Sequence, residues 1–134
     1  MSNRSDVSAV VKRHISGLSK AELAYLRRQT SYANSIEKAY VQGATETPRA
    51  SSTTIRVLRA WRTKVRAAQA DVEKLKDSKA RTLAVKTYKE LDGAITALLP
   101  TLVPGASTER QLQDSRQRFS RYRTRLKKMN GYLF

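Results

Sequence analysis

The sequence predicts an all-α protein, an N-terminal helical arm followed by a small antiparallel helical bundle. Three observations carry that prediction. Apolar residues recur in steps of three and four along almost every segment, the spacing that puts side chains on one stripe of a helix. Period-two alternation over four or more residues is absent outside one arginine run, whose alternation a helical stripe explains better. Gly, Pro, Ser and Thr cluster in two stretches, GATETPRASSTT (43–54) and PTLVPGAST (100–108), which read as loops.

The first helix is expected from Asp6 to Ser16, where Val7, Val11, His14 and Leu18 keep helical spacing and Gly17 suits the position just past a helix end. Ser19 opens the next. With Glu22 three residues on, SKAE (19–22) fits a capping box, in which hydroxyl and carboxylate each satisfy a backbone N–H that the first turn leaves unpaired. Leu26, Ala33, Ile36 and Tyr40 form its buried stripe and Tyr25 and Tyr32 its border, while Lys20, Arg27 and Lys38 share the opposite face; Gly43 is expected to close it.

A second block runs from Thr53 to Lys76, with Leu58, Trp61, Val65, Ala68, Val72 and Leu75 in strict three-four alternation, as along a bundle seam. Arg59, Arg62 and Arg66 run beside this stripe and Arg56 lies further round. After Leu75 the old register would bury Lys79, and a new one starts at Ala84 and continues through Tyr88, Leu91, Ile95 and Leu98. KDSK (76–79) therefore reads as a tight reversal, with Asp77 or Ser78 capping the next helix. The last helix follows Pro104 and Gly105, with TERQ (108–111) as its capping box. These elements divide the chain into an arm (1–43), a linker (44–52) and a bundle with an apolar C-terminal tail (53–134).

Within the last helix, RQRFSRYRTRLKK (116–128) places seven basic side chains in thirteen residues. Leu112, Ser115, Phe119, Tyr122, Leu126, Met129 and Leu133 form its stripe. Arg116, Arg123 and Lys127 flank the stripe on one side and Arg118 and Arg125 on the other, while Arg121 and Lys128 point directly away. Like charges at i,i+4 destabilise a free helix. The stripe must therefore be docked and the cations need counter-charge, for which the sequence offers few carboxylates. NGYLF is expected to close the chain after a turn, its apolar residues docked on the bundle or on a neighbour.

Length and charge bound the function. The 134 residues suffice for one domain. Lys and Arg number 27 against 11 Asp and Glu, a formal net charge of +16 that signals a polyanionic partner. Arg outnumbers Lys sixteen to eleven, which favours phosphate because the guanidinium fork makes two hydrogen bonds to it. Charge divides unevenly: residues 77–103 net only +1, so that helix is expected to be sandwiched between neighbours, whereas 104–134 net +6.

Enzyme chemistry finds no support. There is no cysteine, and the one histidine, His14, reads as a packing residue. The carboxylate pairs Asp71 with Glu73 and Glu90 with Asp92 face apart on a helix and read as solvated faces. No Gly-rich phosphate loop or G-x-S-x-G is present, and neither cofactor nor metal is expected. No run of about 18 apolar residues appears and the N-terminus lacks the apolar core of a signal peptide, so neither a membrane span nor a secretion signal is expected. LSKAELAYL (18–26) is similar to the first helix of a helix-turn-helix module, which carries a small residue at its turn. Here Arg27, Arg28 and Gln29 continue without a breaker and the register runs on to Tyr40, predicting one continuous helix.

The layout of arm, linker GATETPRASSTT and basic bundle resembles the major coat proteins of filamentous viruses that infect hyperthermophilic archaea. The resemblance covers the whole chain and rests on layout, without a diagnostic motif. It implies a virion protein, built into the particle in the host cytoplasm, that self-assembles into a helical filament and wraps double-stranded DNA, in the A form, without sequence preference. It also leaves room for a paralogous coat protein as a second partner. Residues expected on the nucleic acid are Lys20, Arg27, Arg28 and Lys38 in the arm, Arg56, Arg59, Arg62 and Arg66 in the bundle, and Arg116, Arg118, Arg121, Arg123, Arg125, Lys127 and Lys128 in the last helix. Two alternatives stand beside this reading: a small RNA-binding, ribosomal-type helical protein, and a nucleoid or DNA-binding regulator.

Overall fold

The computed structural model describes residues 17–105 and 109–134; the helix expected at 6–16, with His14, and Thr108 of the TERQ box lie outside the described residues. All regular elements among those described are helical: α1 (Lys20–Thr30), α2 (Ala33–Glu46), α3 (Ser52–Glu73), α4 (Lys79–Leu98), a short 3-10 helix (Leu99–Leu102) and α5 (Glu109–Leu133). The all-α expectation holds.

Hydroxyl caps set three of the starts. Ser19 and Glu22 form the expected reciprocal box at α1, Ser51 accepts from Thr54 N–H at α3, and Ser78 accepts from Arg81 N–H at α4. Of the two caps the reversal offered, the molecule uses Ser78. Gly17 has φ +74°, a left-handed conformation that a side chain would strain.

The helix expected to run unbroken from Ser19 to Gly43 is instead split at Ser31 and Tyr32. A local hydroxyl marks the break. Thr30 Oγ1 donates to the Arg27 carbonyl at 2.8 Å, which still receives Ser31 N–H at 3.2 Å, whereas the Arg28 carbonyl takes the Ser31 hydroxyl at 2.5 Å and not Tyr32 N–H. Tyr32 N–H then bonds Gln29 rather than the residue four back. The two halves pack on different partners, α1 on α5 and α2 on α3, which is not the mutual docking of a helix-turn-helix.

Gly43 does not close α2. The helix continues to Glu46, and a Cβ at Gly43 would lie 2.7 Å from Leu58 Cδ1 and 3.2 Å from Leu98 Cδ2. The glycine serves close approach between helices, not capping. The stretch expected as a linker is consequently short and bound: Ala50 N–H donates to the Leu102 carbonyl at 3.0 Å, and Thr47 Oγ1 to Thr101 at 2.5 Å.

One hydrophobic core unites these elements. Leu23 and Leu26 from α1 and Ile36 and Tyr40 from α2 are buried in the same cluster as Leu58, Val65 and Val72 of α3, Leu91, Ile95 and Leu98 of α4, and Phe119, Tyr122, Met129 and Leu133 of α5. The weakly charged α4 lies between α3 and α5, with its small residues Ala80, Ala84 and Ala94 fully buried so that neighbouring backbones approach. Antiparallel pairing with α5 is marked by Ser115 meeting Ala94 and Arg121 meeting Glu90. At the C-terminus, α5 runs through Asn130 and Gly131 to Leu133, without the turn expected there. Burial of Leu133 explains this, because the helical register carries it into the core while Phe134 is left 60% exposed.

Candidate nucleic-acid interface

The structure divides the expected phosphate-binding residues into two groups. Six are engaged within the protein. Arg66 meets Asp92 at 2.9 Å, Arg118 meets Asp114 at 3.0 Å and Arg123 meets Glu37 at 3.4 Å. Glu90 takes both Arg121 at 3.2 Å and Arg125 at 3.9 Å. Arg27, expected on an outer face, is half-buried: its Nε donates to the Leu133 carbonyl at 2.5 Å and its guanidinium lies 5.5 Å from the Phe134 ring. A helix C-terminus leaves carbonyls without partners, and a cation beside them satisfies both hydrogen bonding and dipole.

Two expectations about carboxylates and cations are corrected by these contacts. Glu90 and Asp92 do not form a solvated face; their side chains are 17% and 24% exposed and face the arginines of α5 and α3. Arg121 does not point away from the packed side of α5, because α4 covers a broader arc of that helix than the apolar stripe marks.

The other nine, Lys20, Arg28, Lys38, Arg56, Arg59, Arg62, Arg116, Lys127 and Lys128, have no carboxylate within salt-bridge distance among the described residues; Arg62 is half-buried and the rest are exposed. Each sits on a helix whose apolar face is docked. Arg56, Arg59 and Arg62 follow one another at three-residue steps along about 1.7 turns of α3, a rigid row rather than a flexible tail.

The structure also assembles a cluster that the sequence hides. A groove of about 680 Å³ runs along the seam between α4 and α5, and Lys79, Lys86, Arg121, Arg125 and Lys128 line it, with Asp77 the one carboxylate. The near-neutral net charge over 77–103 conceals Lys79 and Lys86 in the sequence. The negative charge of that segment is concentrated at Glu90 and Asp92, further along α4, leaving the groove end cationic. A spacing of seven residues between two lysines was the available signal, since it places both on one helix face.

A second feature lies at the α2–α3 margin. Tyr32 and Trp61 rings stand 5.9 Å apart, and Lys64 Nζ lies 3.7 Å over Tyr32 and 5.5 Å over Trp61. Trp61, expected in the buried seam, is half-buried at its edge. Lys64 is thereby held by aromatic faces rather than by an anion.

Buried phenols leave the electrostatics at neutral pH to Lys, Arg and the carboxylates. Burial pushes the Tyr88 and Tyr122 hydroxyls well above the usual phenol range and, with the Asp71 carboxylate that its hydroxyl bonds at 3.1 Å, pushes Tyr25 up to about 12. No group of three or more His, Asp or Glu residues suited to a metal ion occurs among the described residues. No described helix is long and apolar enough to cross a membrane. No family model, curated protein or solved structure matches the chain.

Proposed function

We propose that this protein is a structural nucleic-acid-binding subunit, a coat or packaging protein that neutralises the phosphates of a duplex without reading its sequence and assembles along it. The observation that carries the reading is the surplus left after internal pairing. Nine cations on docked helices keep no carboxylate partner among the described residues, and Glu37, Glu90, Asp92 and Asp114 are already taken by Arg123, by Arg121 with Arg125, by Arg66 and by Arg118. Fixed cations on several helices suit rows of phosphate met from more than one direction, as in packaging without base contacts.

Assembly draws support from the exposed apolar side chains of Val41, Val57, Val103 and Phe134, which water contacts in a single subunit and a neighbour would cover. The resemblance of the sequence to filamentous coat proteins points the same way, toward a helical filament on double-stranded DNA, either of this chain alone or with a paralogous coat protein, with residues 20–46 docked in the common core rather than extended as an arm. The test is negative-stain microscopy of the protein with and without duplex DNA, paired with binding measured against salt. A filament with a fixed subunit repeat that protects the duplex along its length is the expected result. A monomer bound at one RNA site, or a discrete dimer at preferred DNA sites, would replace this reading.

A further inference from the structure

We propose that the groove between α4 and α5 is a binding site for a single nucleic-acid strand. The inference rests on phosphate being the partner, as above, but assigns this site to a different form of the polymer. Its walls bring Lys79, Lys86 and Lys128 together with Arg121 and Arg125, which share Glu90, and the one carboxylate in the lining, Asp77, has its side chain 94% exposed. Lys79, Lys86 and Lys128 are exposed and have no carboxylate within salt-bridge distance among the described residues, so their charge is available to a ligand.

Arg125 adds a more specific sign. Its Nε is buried without a hydrogen-bond partner, as is Glu90 Oε2, and its contact with Glu90 is a loose 3.9 Å. The Nε itself is closed to a groove ligand, but the side chain as a whole is 35% exposed and its terminal nitrogen is held by Glu90 only loosely, so the terminal N–H groups can turn to phosphate oxygens, which accept charge-assisted bonds.

The lining favours the strand over the duplex, because only unpaired bases expose faces that can stack on a ring. Along α5 the lining residues run from Ser120 to Tyr132, about 18 Å at 1.5 Å per residue, room for about five stacked nucleotides at 3.4 Å each. Leu83 and the ring of Tyr132 supply apolar surface within the same groove. Cations that track a backbone beside an aromatic ring are the combination by which proteins hold unpaired strands.

The test uses the full chain and fluorescence anisotropy with a labelled oligothymidylate and a labelled duplex of equal length. The groove variant carries Lys79→Gln, Lys86→Gln and Lys128→Gln, three exposed positions whose loss leaves the Glu90 contacts intact. The control carries Arg56→Gln, Arg59→Gln and Arg62→Gln. The groove variant is expected to weaken strand binding by about tenfold or more and to lower its salt slope by about 2, while duplex binding falls much less. The control should show the opposite pattern. Unchanged strand binding in the groove variant overturns the proposal, and so does an equal loss of strand and duplex, which would mean a general field only. Inorganic tripolyphosphate provides a third arm: displacement of the strand at equal phosphate concentration would reassign the groove to small phosphates. Failure of the unmodified protein to bind duplex would sink the packaging function, yet leave the strand arm readable.

Discussion

The Tyr40 hydroxyl lies 2.6 Å from Ser115 Oγ, and Ser115 donates at 2.6 Å to the Ala94 carbonyl, so α2, α5 and α4 are joined by one buried chain of hydrogen bonds. A serine hydroxyl has one proton. Since Ser115 gives it to Ala94, Tyr40 must be the donor in their contact. The Tyr40 ring stacks on Phe119 at 3.9 Å, which fixes the phenol over its acceptor. Ser115→Ala therefore strands a buried donor and should cost about 1–3 kcal/mol, whereas Tyr40→Phe removes that donor and should cost only about 0.5–1.5 kcal/mol. Urea unfolding of both variants and of the double mutant checks the order; equal losses would refute the assigned direction.

Acid should act through Glu22. Its carboxylate accepts from the Lys76 backbone N–H at 2.8 Å and from Ser19 N–H at 3.1 Å, and these bonds hold its pKa below the ordinary 4.5. A depressed folded-state pKa contributes stability at pH above the unfolded value, and that contribution is lost as pH falls through the folded value. Glu22→Gln keeps an acceptor for the capping box but loses the charge at a largely exposed site, so it should lower stability at neutral pH by less than about 1 kcal/mol and flatten the decline on acidification. Thermal unfolding across the acid range measures both.

Neutralising Glu90 should loosen the protein while strengthening its hold on polyanions. Glu90→Gln releases Arg121 and Arg125 from their shared carboxylate. Stability is expected to fall by about 1–2 kcal/mol, between the values for exposed and buried pairs. The salt slope of nucleic-acid binding should steepen by as much as about 0.9 for each arginine that engages a phosphate. Salt titrations of the variant beside the parent decide the matter.

The row on α3 makes the opposite prediction. Arg56, Arg59 and Arg62 support no described ion pair, so replacing all three with Gln should leave the melting temperature within a few degrees. Duplex affinity should drop, with the slope of log K against log salt shallower by about 2.7.

Gly43 tests the packing of α2 on the bundle. A side chain there meets Leu58 and Leu98, both fully buried. Gly43→Val should destabilise by about 1–3 kcal/mol through overpacking, detectable as a lower urea midpoint. A gain in stability would show that the glycine is a poor helix former and nothing more.

Helical periodicity by itself determined the all-α class, the apolar stripes of α3, α4 and α5, the capping box at Ser19 and Glu22, and the reversal before Lys79, because each depends on residues within a few positions of one another. The cationic surplus was equally legible, since it is a sum over the chain. The break at Ser31 was not, because a serine hydroxyl competing for one carbonyl leaves the apolar register undisturbed. Only the tertiary structure decided which arginines remain for a ligand. Whether Arg123 meets Glu37, or Arg121 and Arg125 share Glu90, depends on which helix faces which, over separations that no local pattern encodes. The α4–α5 groove has the same origin: Lys79 and Lys86 become part of a basic site only when antiparallel packing brings Lys128 alongside them.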